Sequence, residues 1–529
     1  MRILALVEVD FRADFFGAPS TLAEPLAGRP VLTRTLQRLA AVEGLDGIVV
    51  SVWDRDADRV RQLAGDVPVQ LALRDDERTG LDTMRPARTF GRYGWRGGLA
   101  GATVYDELYD PRVVAAVLDG MAADALFLVA GGSALLDVKW ACEMVDFHRK
   151  HAGDFGMGFC QAPPGLGGMI LGASALRMLA REGTYPGRAL AYDPNKPVND
   201  PISQPSNYTL PDELIATYRR FIADCPRGLW LCGQLIERGG EDIDGEDACR
   251  ISRRLGIEPW PREITVELTT RRPIEDDLRP AADRADLSIE RLTEALAGLE
   301  AVGDLNIMLA GAGDALLHPR WTDAVAVCRK VGRVGAATYG LNLDDKTIDA
   351  ILSAGLDVLE VYVDAMSDEV YAAHKRGGSA EAVWANLARF AERKAAAGTQ
   401  APLVVPTMLK TPESLDEQDE FFQTCLQRTG WGFIQEPTQA AGQWPDRGVV
   451  DMAPPDRTAC RRLNNRLTLL SDGQVVPCEE DIQGSYGMNG WPVAAAWVCE
   501  GMRQLRAMHA EWRWDEHPLC AACREFHRP

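Results

Sequence analysis

The chain has 529 residues, 46% of them hydrophobic, which is ample for several separate cores. A formal net charge of −20 argues against nucleic acid or an anionic membrane as the main partner. Twelve cysteines without dense even spacing outside the C-terminus argue against a disulfide scaffold, and no membrane span is visible.

In chain order, the segment Met1 to Asp10 is interrupted by Glu8 and Asp10 too soon for a signal peptide. It reads as a buried first strand, Ile3 to Val9, of a protein expected to be cytoplasmic. Helix-like Pro30 to Ala41, the apolar strand Gly47 to Trp53 and a further helix and strand follow, an alternation that implies a largely parallel sheet. Arg92 to Gly101 combines cations, Trp95 and permissive glycines. Such a run suits an anionic ligand or an ordered surface loop packing Trp95, and the incomplete fingerprint favours the loop. Asp137, immediately before helix-like Val138 to His148, reads as an N-cap. His148 and His151 share a helical face with no third ligand and read as an exposed polar pair.

The acidic, glycine-bearing stretch Gly239 to Asp247 suits a linker. Beyond Pro261, strands Glu263 to Thr269, Leu305 to Ala310, Gly335 to Thr338 and Val358 to Val363 alternate with helices Ile289 to Glu300, Trp321 to Val331 and Lys346 to Ala354. Repetition of one βα unit predicts a barrel-like architecture. Cys142, Cys160, Cys225, Cys232, Cys249, Cys328 and Cys425 show no ligand spacing and read as core thiols.

The strongest signal lies at the end. Cys460, Cys478, Cys520 and Cys523 form C-x12-G-x4-C followed, after 41 residues, by C-x2-C. Gly473, within Ser471-Asp472-Gly473-Gln474, suits a tight turn between short strands that swings Cys478 back toward Cys460. Four thiolates from three stretches can then converge on a soft metal. A single C-x2-C pair favours an iron–sulfur cluster over a four-thiolate zinc site, with unligated core thiols as the remaining alternative. Cys499 falls between the paired ligands.

Leu467 to Cys478, then Trp497, Leu505, Arg506 and His509, then Pro518 to Cys523 together resemble the SPASM/twitch extension of radical SAM proteins. The resemblance implies one auxiliary [4Fe-4S] cluster on the four cysteines, with zinc as the alternative. Glu263 to Arg271, Gly311 to Pro319 and Val361 to Ala365 resemble the radical SAM core, over roughly 261–410. In that family a C-x3-C-x2-C motif after the first strand holds the cluster that binds and reduces S-adenosylmethionine. The matching positions here are Arg272, Asp276 and Arg279, and guanidinium groups cannot ligate iron. The loop that receives the S-adenosylmethionine amine has drifted too, to Gly311-Ala312-Gly313-Asp314-Ala315 from Gly-Gly-Glu-Pro. Arg272, Asp276 and Arg279 form either ion pairs in the vacated pocket or a solvated charged loop, and the run Glu275-Asp276-Asp277 favours the loop. His318-Pro319 matches a structural His-Pro of the family.

Pro25 to Leu32, leading to Leu39 and Asp46 to Val52, is similar to sugar-nucleotide cytidylyltransferases and related nucleotidyltransferases of the glycosyltransferase-A-like fold. Of their nucleotide loop Arg12 and Pro19 match, whereas Ser20 and Thr21 replace Gly and Lys. Gly131 to Leu136 lacks the family's metal-binding acid, and Asp137 survives.

The expected fold class is α/β. It comprises an N-terminal Rossmann-like nucleotidyltransferase-like domain (1–240), a linker (241–260), a partial (β/α) barrel of radical SAM type without its cluster motif (261–450) and a small C-terminal SPASM/twitch domain (451–529). The combination resembles the spirochaete-type SPASM proteins. Three functions stay open. One is a non-catalytic iron–sulfur protein that binds a small molecule, a peptide or a partner protein. Another is an enzyme acting on a nucleotide or sugar nucleotide through the N-terminal domain. The third is an active S-adenosylmethionine-dependent enzyme with cluster ligands elsewhere. No catalytic residue is assigned; neither nucleic acid nor a membrane is expected as a partner.

Overall fold

Ile3–Glu8 is an interior strand of a seven-stranded sheet. In spatial order its strands are Val69–Arg74, Ile48–Trp53, Ile3–Glu8, Ala125–Ala130, Met169–Gly172, Met157–Cys160 and Asn207–Tyr208. The first four are mutually parallel, and Met169–Gly172 runs against both neighbours. The near-continuous apolar runs of the central strands follow from burial on both faces. Ile3, Ala5 and Val7 enter the core on one side, and Leu4 and Leu6 enter the core on the other. The structure is a computed structural model that describes residues 1–74, 81–107, 110–151, 156–191, 200–451 and 453–528, in two units, Met1–Gly256 and Ile257–Pro529.

Asp137 caps the helix Val138–His151, its Oδ1 accepting the Trp140 N–H at 3.0 Å. Its Oδ2 accepts the Gly245 N–H at 2.6 Å, which ties down a second helix, Gly245–Arg254. The stretch read as a linker therefore contains an ordered helix of the first unit. Asp244 accepts the Asp247 N–H at its start, and Ala248 and Cys249 are fully buried. Acid followed by glycine here encodes a helix start rather than a loose joint. The histidine pair also differs from expectation, because His148 is buried and His151 packs its ring 4.8 Å from Phe147. Arg92 to Gly101 is an ordered loop, with Trp95 lying 5.7 Å from Phe159 and Arg92 over the Phe16 ring.

The second unit is built on an eight-stranded sheet. Its order is Phe433–Gln435, Leu403–Leu409, Val358–Tyr362, Gly332–Thr338, Leu305–Leu309, Glu263–Val266, Arg466–Leu469 and Val475–Val476. All neighbours are parallel except the last two, which form a hairpin. Among the described residues the edge strands do not pair, so the barrel stays open. Ser288, Asp344 and Ser379 cap three of the intervening helices, Ile289–Leu296, Asp345–Ala354 and Ala380–Ala396.

The C-terminal segment joins the same sheet, because Arg466–Leu469 runs parallel to Glu263–Val266. Gly473, at φ +90°, reverses the chain, and the Leu470 N–H donates to the Gln474 carbonyl at 2.8 Å. Trp497, fully buried, donates Nε1–H to the Glu258 carbonyl at 2.8 Å. Among the described residues no helix is long and apolar enough to cross a membrane.

Candidate functional site

The hairpin delivers Cys478 just beyond Val475–Val476, the short helix Pro518–Ala521 carries Cys520, and Cys523 follows it. Cys460 precedes the turn Arg462–Asn464. The structure brings all four cysteines to one cavity, walled by Leu463, Leu505, Leu519 and Phe526. None is in a disulfide; Cys478 and Cys520 are buried, and Cys460 and Cys523 are half-buried. Local contacts fix them. The Cys460 N–H donates to His509 Nδ1 at 3.2 Å, the Arg457 guanidinium donates to the Cys520 carbonyl at 2.5 Å, and Cys523 Sγ accepts the Glu525 N–H at 3.3 Å. Burial pushes the thiols of Cys520 and Cys523 up to about 12 and that of Cys478 upward as well. Thiolates in such a place need a cation among them. The donor set fits a soft centre held by four sulfurs, an iron–sulfur cluster or zinc. Cys499 does not line the cavity and is half-buried at the start of the helix Glu500–Ala510.

At the positions expected to lack the cluster motif, charge fills the space. Arg279 reaches Asp364 with two nitrogens, at 2.6 and 3.0 Å, and Asp276 at 3.2 Å. Lys375 Nζ meets the same Asp364 carboxylate at 2.5 Å, and the Arg279 guanidinium lies 3.9 Å from the Tyr362 ring centre. Two cations thus face two carboxylates, with no side chain of the four more than 13% exposed. Burial alone would raise the Asp364 carboxyl, but Arg279 and Lys375 outweigh it and hold it below the usual carboxylate range. Asp364 has φ +62°, an uncommon conformation for a residue with a Cβ, and the Leu409 N–H donates to its Oδ1 at 2.9 Å. The expected solvated loop is therefore corrected to a buried ion network. Its partners Asp364 and Lys375 are remote in sequence, so the local charge run could not reveal them.

Arg272 acts differently. Its guanidinium donates to the carbonyls of Asp276, Arg279 and Pro280, while Nε donates to the Ala312 carbonyl at 2.5 Å. The Ala312 N–H is taken by Glu267 at 2.9 Å. Both backbone polar groups of Ala312, in the loop matched to the S-adenosylmethionine amine loop, are thus occupied by the protein itself. Asp314 is buried, which pushes its carboxyl up, and accepts from Leu316, Thr338 and Tyr339. Three thiolates and a cluster do not fit this arrangement. Glu267 also pairs with Arg284 at 2.9 Å and accepts from the Ser471 N–H and hydroxyl, linking the barrel to the hairpin turn. His318 is structural, its Nδ1 accepting the Arg320 N–H at 3.1 Å.

In the first unit a cavity of about 400 Å³ opens at the carboxyl ends of the parallel strands, beside Glu8, Trp53 and Ala130. Arg12 lies 4.5 Å from the Trp53 ring centre and pairs with Asp10 at 2.8 Å, and Arg74 pairs with Glu8 at 2.6 Å. Ser20 and Thr21 turn their hydroxyls to the protein's own carbonyls of Asp10 and Ala223, at 2.8 and 3.0 Å. Asp14, Asp224 and Cys225 bring ligand atoms within 4.8 Å of one another. Burial and the neighbouring Asp224 charge push the Asp14 carboxyl up to about 7. Arg220, however, grips Asp224 at 2.6 and 2.7 Å and supplies positive charge beside the pair. Cys225 is buried, as expected of a core thiol, and in addition stands beside these acids, a place signalled in the sequence by the adjacency Asp224-Cys225.

Residues 274–417 match the model of the Radical SAM superfamily, so the second unit carries a radical SAM domain. An uncharacterized protein of Treponema pallidum (strain Nichols) is 24% identical over 307 residues, covering 54% of this chain and 85% of its own length. The structure of Streptococcus suis SuiB bound to precursor peptide SuiA is similar over 50% of this chain and 72% of that chain, at 9% identity and a TM-score of 0.39. A cytidylyltransferase from Leptospira borgpetersenii serovar Hardjo-bovis (strain JB197) is similar over 48% of this chain and 93% of that chain, at 14% identity and a TM-score of 0.33.

Proposed function

We propose that this chain, a carrier of a radical SAM domain, is an iron–sulfur protein with one [4Fe-4S] cluster on Cys460, Cys478, Cys520 and Cys523 that generates no 5′-deoxyadenosyl radical. The observation that carries this reading is the pairing of Arg279 with Asp364 where a cluster-binding thiolate belongs. Radical generation needs an iron left open by three protein thiolates, and Arg272, Asp276 and Arg279 offer none. A cluster in the cysteine cavity supplies one-electron transfer or a cross-link among three chain segments. The chain's own part is to hold the sulfurs, exclude water with Leu463, Leu505 and Leu519, and present the second unit to a peptide, small molecule or protein partner.

Anaerobic purification with iron, sulfide and zinc analysis tests the reading. It predicts iron and sulfide near one cluster per chain, and no 5′-deoxyadenosine above a no-protein control with S-adenosylmethionine and reductant. Stoichiometric zinc without sulfide, or two clusters with cleavage of S-adenosylmethionine, overturns it.

A second reading rests on the 400 Å³ cavity of the first unit, at the strand ends where open parallel sheets bind ligands. In it, that unit acts on a nucleotide or sugar nucleotide. Magnesium-dependent pyrophosphate release from a nucleoside triphosphate would support it, and calorimetry showing no nucleotide binding would remove it.

A further inference from the structure

We infer that His509 donates a hydrogen bond from Nε2 to a sulfur of the centre in the cysteine cavity, as a positioning residue that tunes the centre and not as a ligand. This rests on the cluster reading above. His509 sits in the last turn of the helix Glu500–Ala510, is buried, and lines the cavity with the four thiols. Its Nδ1 faces the Cys460 N–H at 3.2 Å. An amide N–H can only donate, so Nδ1 holds a lone pair and the single proton of the neutral ring sits on Nε2. Ligation through Nε2 would need an imidazolate, with a lone pair at each nitrogen.

Nε2 is buried and has no hydrogen-bond partner among the described residues. Native proteins rarely leave a buried N–H without an acceptor. Two more donors share this condition at the same cavity, Arg457 Nε and Arg462 Nε. Of the carboxylates nearby, Glu480 accepts from Arg462 at 2.8 Å, and Glu525 Oε2 faces the Arg528 guanidinium at 2.5 Å without receiving a well-aligned hydrogen bond. Three N–H groups on residues that line the cavity thus lack an acceptor, and none of them is hydrogen-bonded to the carboxylates or thiols there. A cluster brings inorganic sulfides in addition to four thiolates, and so more acceptor atoms than a zinc tetrathiolate. A hydrogen bond to cluster sulfur offsets the extra negative charge of the reduced state and raises its potential.

The test uses the full chain, purified anaerobically and reconstituted with iron and sulfide. Iron, sulfide and visible absorption first establish whether a cluster is present; its absence sinks the cluster reading and this inference together. In cluster-bearing wild type with selectively ¹⁵N-labelled histidine, pulsed paramagnetic resonance of the reduced state should show weak ¹⁵N coupling that disappears in His509→Leu. The same variant should be harder to reduce by about tenfold in equilibrium constant, which is about 59 mV for one electron. His509→Asn, which keeps an N–H donor, should recover part of that shift. A cluster with no histidine coupling, or equal potentials for wild type and His509→Leu, overturns the inference alone, as does the strong coupling of a directly bound nitrogen. Should His509→Leu fail to fold, the labelled wild type decides by itself.

Discussion

Arg279 and Asp364, 85 residues apart in the chain, meet through two hydrogen bonds of 2.6 and 3.0 Å inside the open barrel. The same carboxylate neutralises Lys375, so removing it leaves two buried cations facing Asp276 alone. Asp364→Ala should cost about 3–5 kcal/mol in the unfolding of the second unit, measured by denaturant titration, because a broken buried pair strands its partner. Arg279→Met should cost less, since Lys375 still faces Asp364. Equal, small losses for both would mean that the network is hydrated.

Asp14 gives a pH dependence of definite sign. Its folded carboxyl is raised by burial and by Asp224 to about 7, from an ordinary value of 3.8. Between those values the folded state keeps a proton that the unfolded state has released, so stability is full below the unfolded value and falls as pH rises to about 7. Asp14→Asn should flatten this decline in the first unit and leave the variant more stable than wild type at neutral pH. Parallel stability profiles from pH 4 to 8 would show that Asp14 does not titrate in this way.

Features encoded by neighbours in sequence were legible, and those set by distant partners were not. Strands such as Ile48–Trp53 and Val358–Tyr362 declared themselves by apolar runs, and Gly473 marked its turn because only positive φ lets the chain reverse there. The cysteine spacing pointed to one cavity for the same reason, since a hairpin and a C-x2-C turn fix sulfur directions locally. Asp276 read as solvated because its charge run was visible and Lys375 was not adjacent. Helix Gly245–Arg254 was hidden by its acidic glycines, although Asp244 was an available cap. His148 looked exposed because helical periodicity gives a face without saying what covers it.

Glu267 is the junction between barrel and hairpin, accepting at once from Arg284, the Ala312 N–H and both Ser471 donors. Glu267→Gln removes the charge that balances buried Arg284 and replaces one acceptor oxygen with a donor. Amide hydrogen exchange at Ala312 and Ser471 should quicken by about tenfold or more, given that each kilocalorie-scale loss opens the segment several-fold. Unchanged protection at both amides would mean that the hairpin is held by its strand pairing with Glu263–Val266 alone.

Cys478 and Cys499 provide a matched pair for testing the cavity. Cys478 is buried on the cavity wall and follows the hairpin strand, whereas Cys499 lies outside it at a helix start. Replacing either thiol by a hydroxyl changes little in volume, so a difference between the variants in bound iron and sulfide reports ligation and not packing. Cys478→Ser should bleach the broad visible absorption of a reconstituted cluster, lower bound iron and sulfide, and destabilise the second unit, because a centre that ties three segments contributes its binding energy to folding. Its effect should reach the fold because Val475–Val476 pairs with Arg466–Leu469, which in turn pairs with Glu263–Val266 of the barrel. Cys499→Ser should retain wild-type iron, sulfide and unfolding midpoint. Full cluster content in Cys478→Ser, or equal loss in both variants, would remove the four-cysteine assignment, since ligation at Cys478 is what separates the two positions.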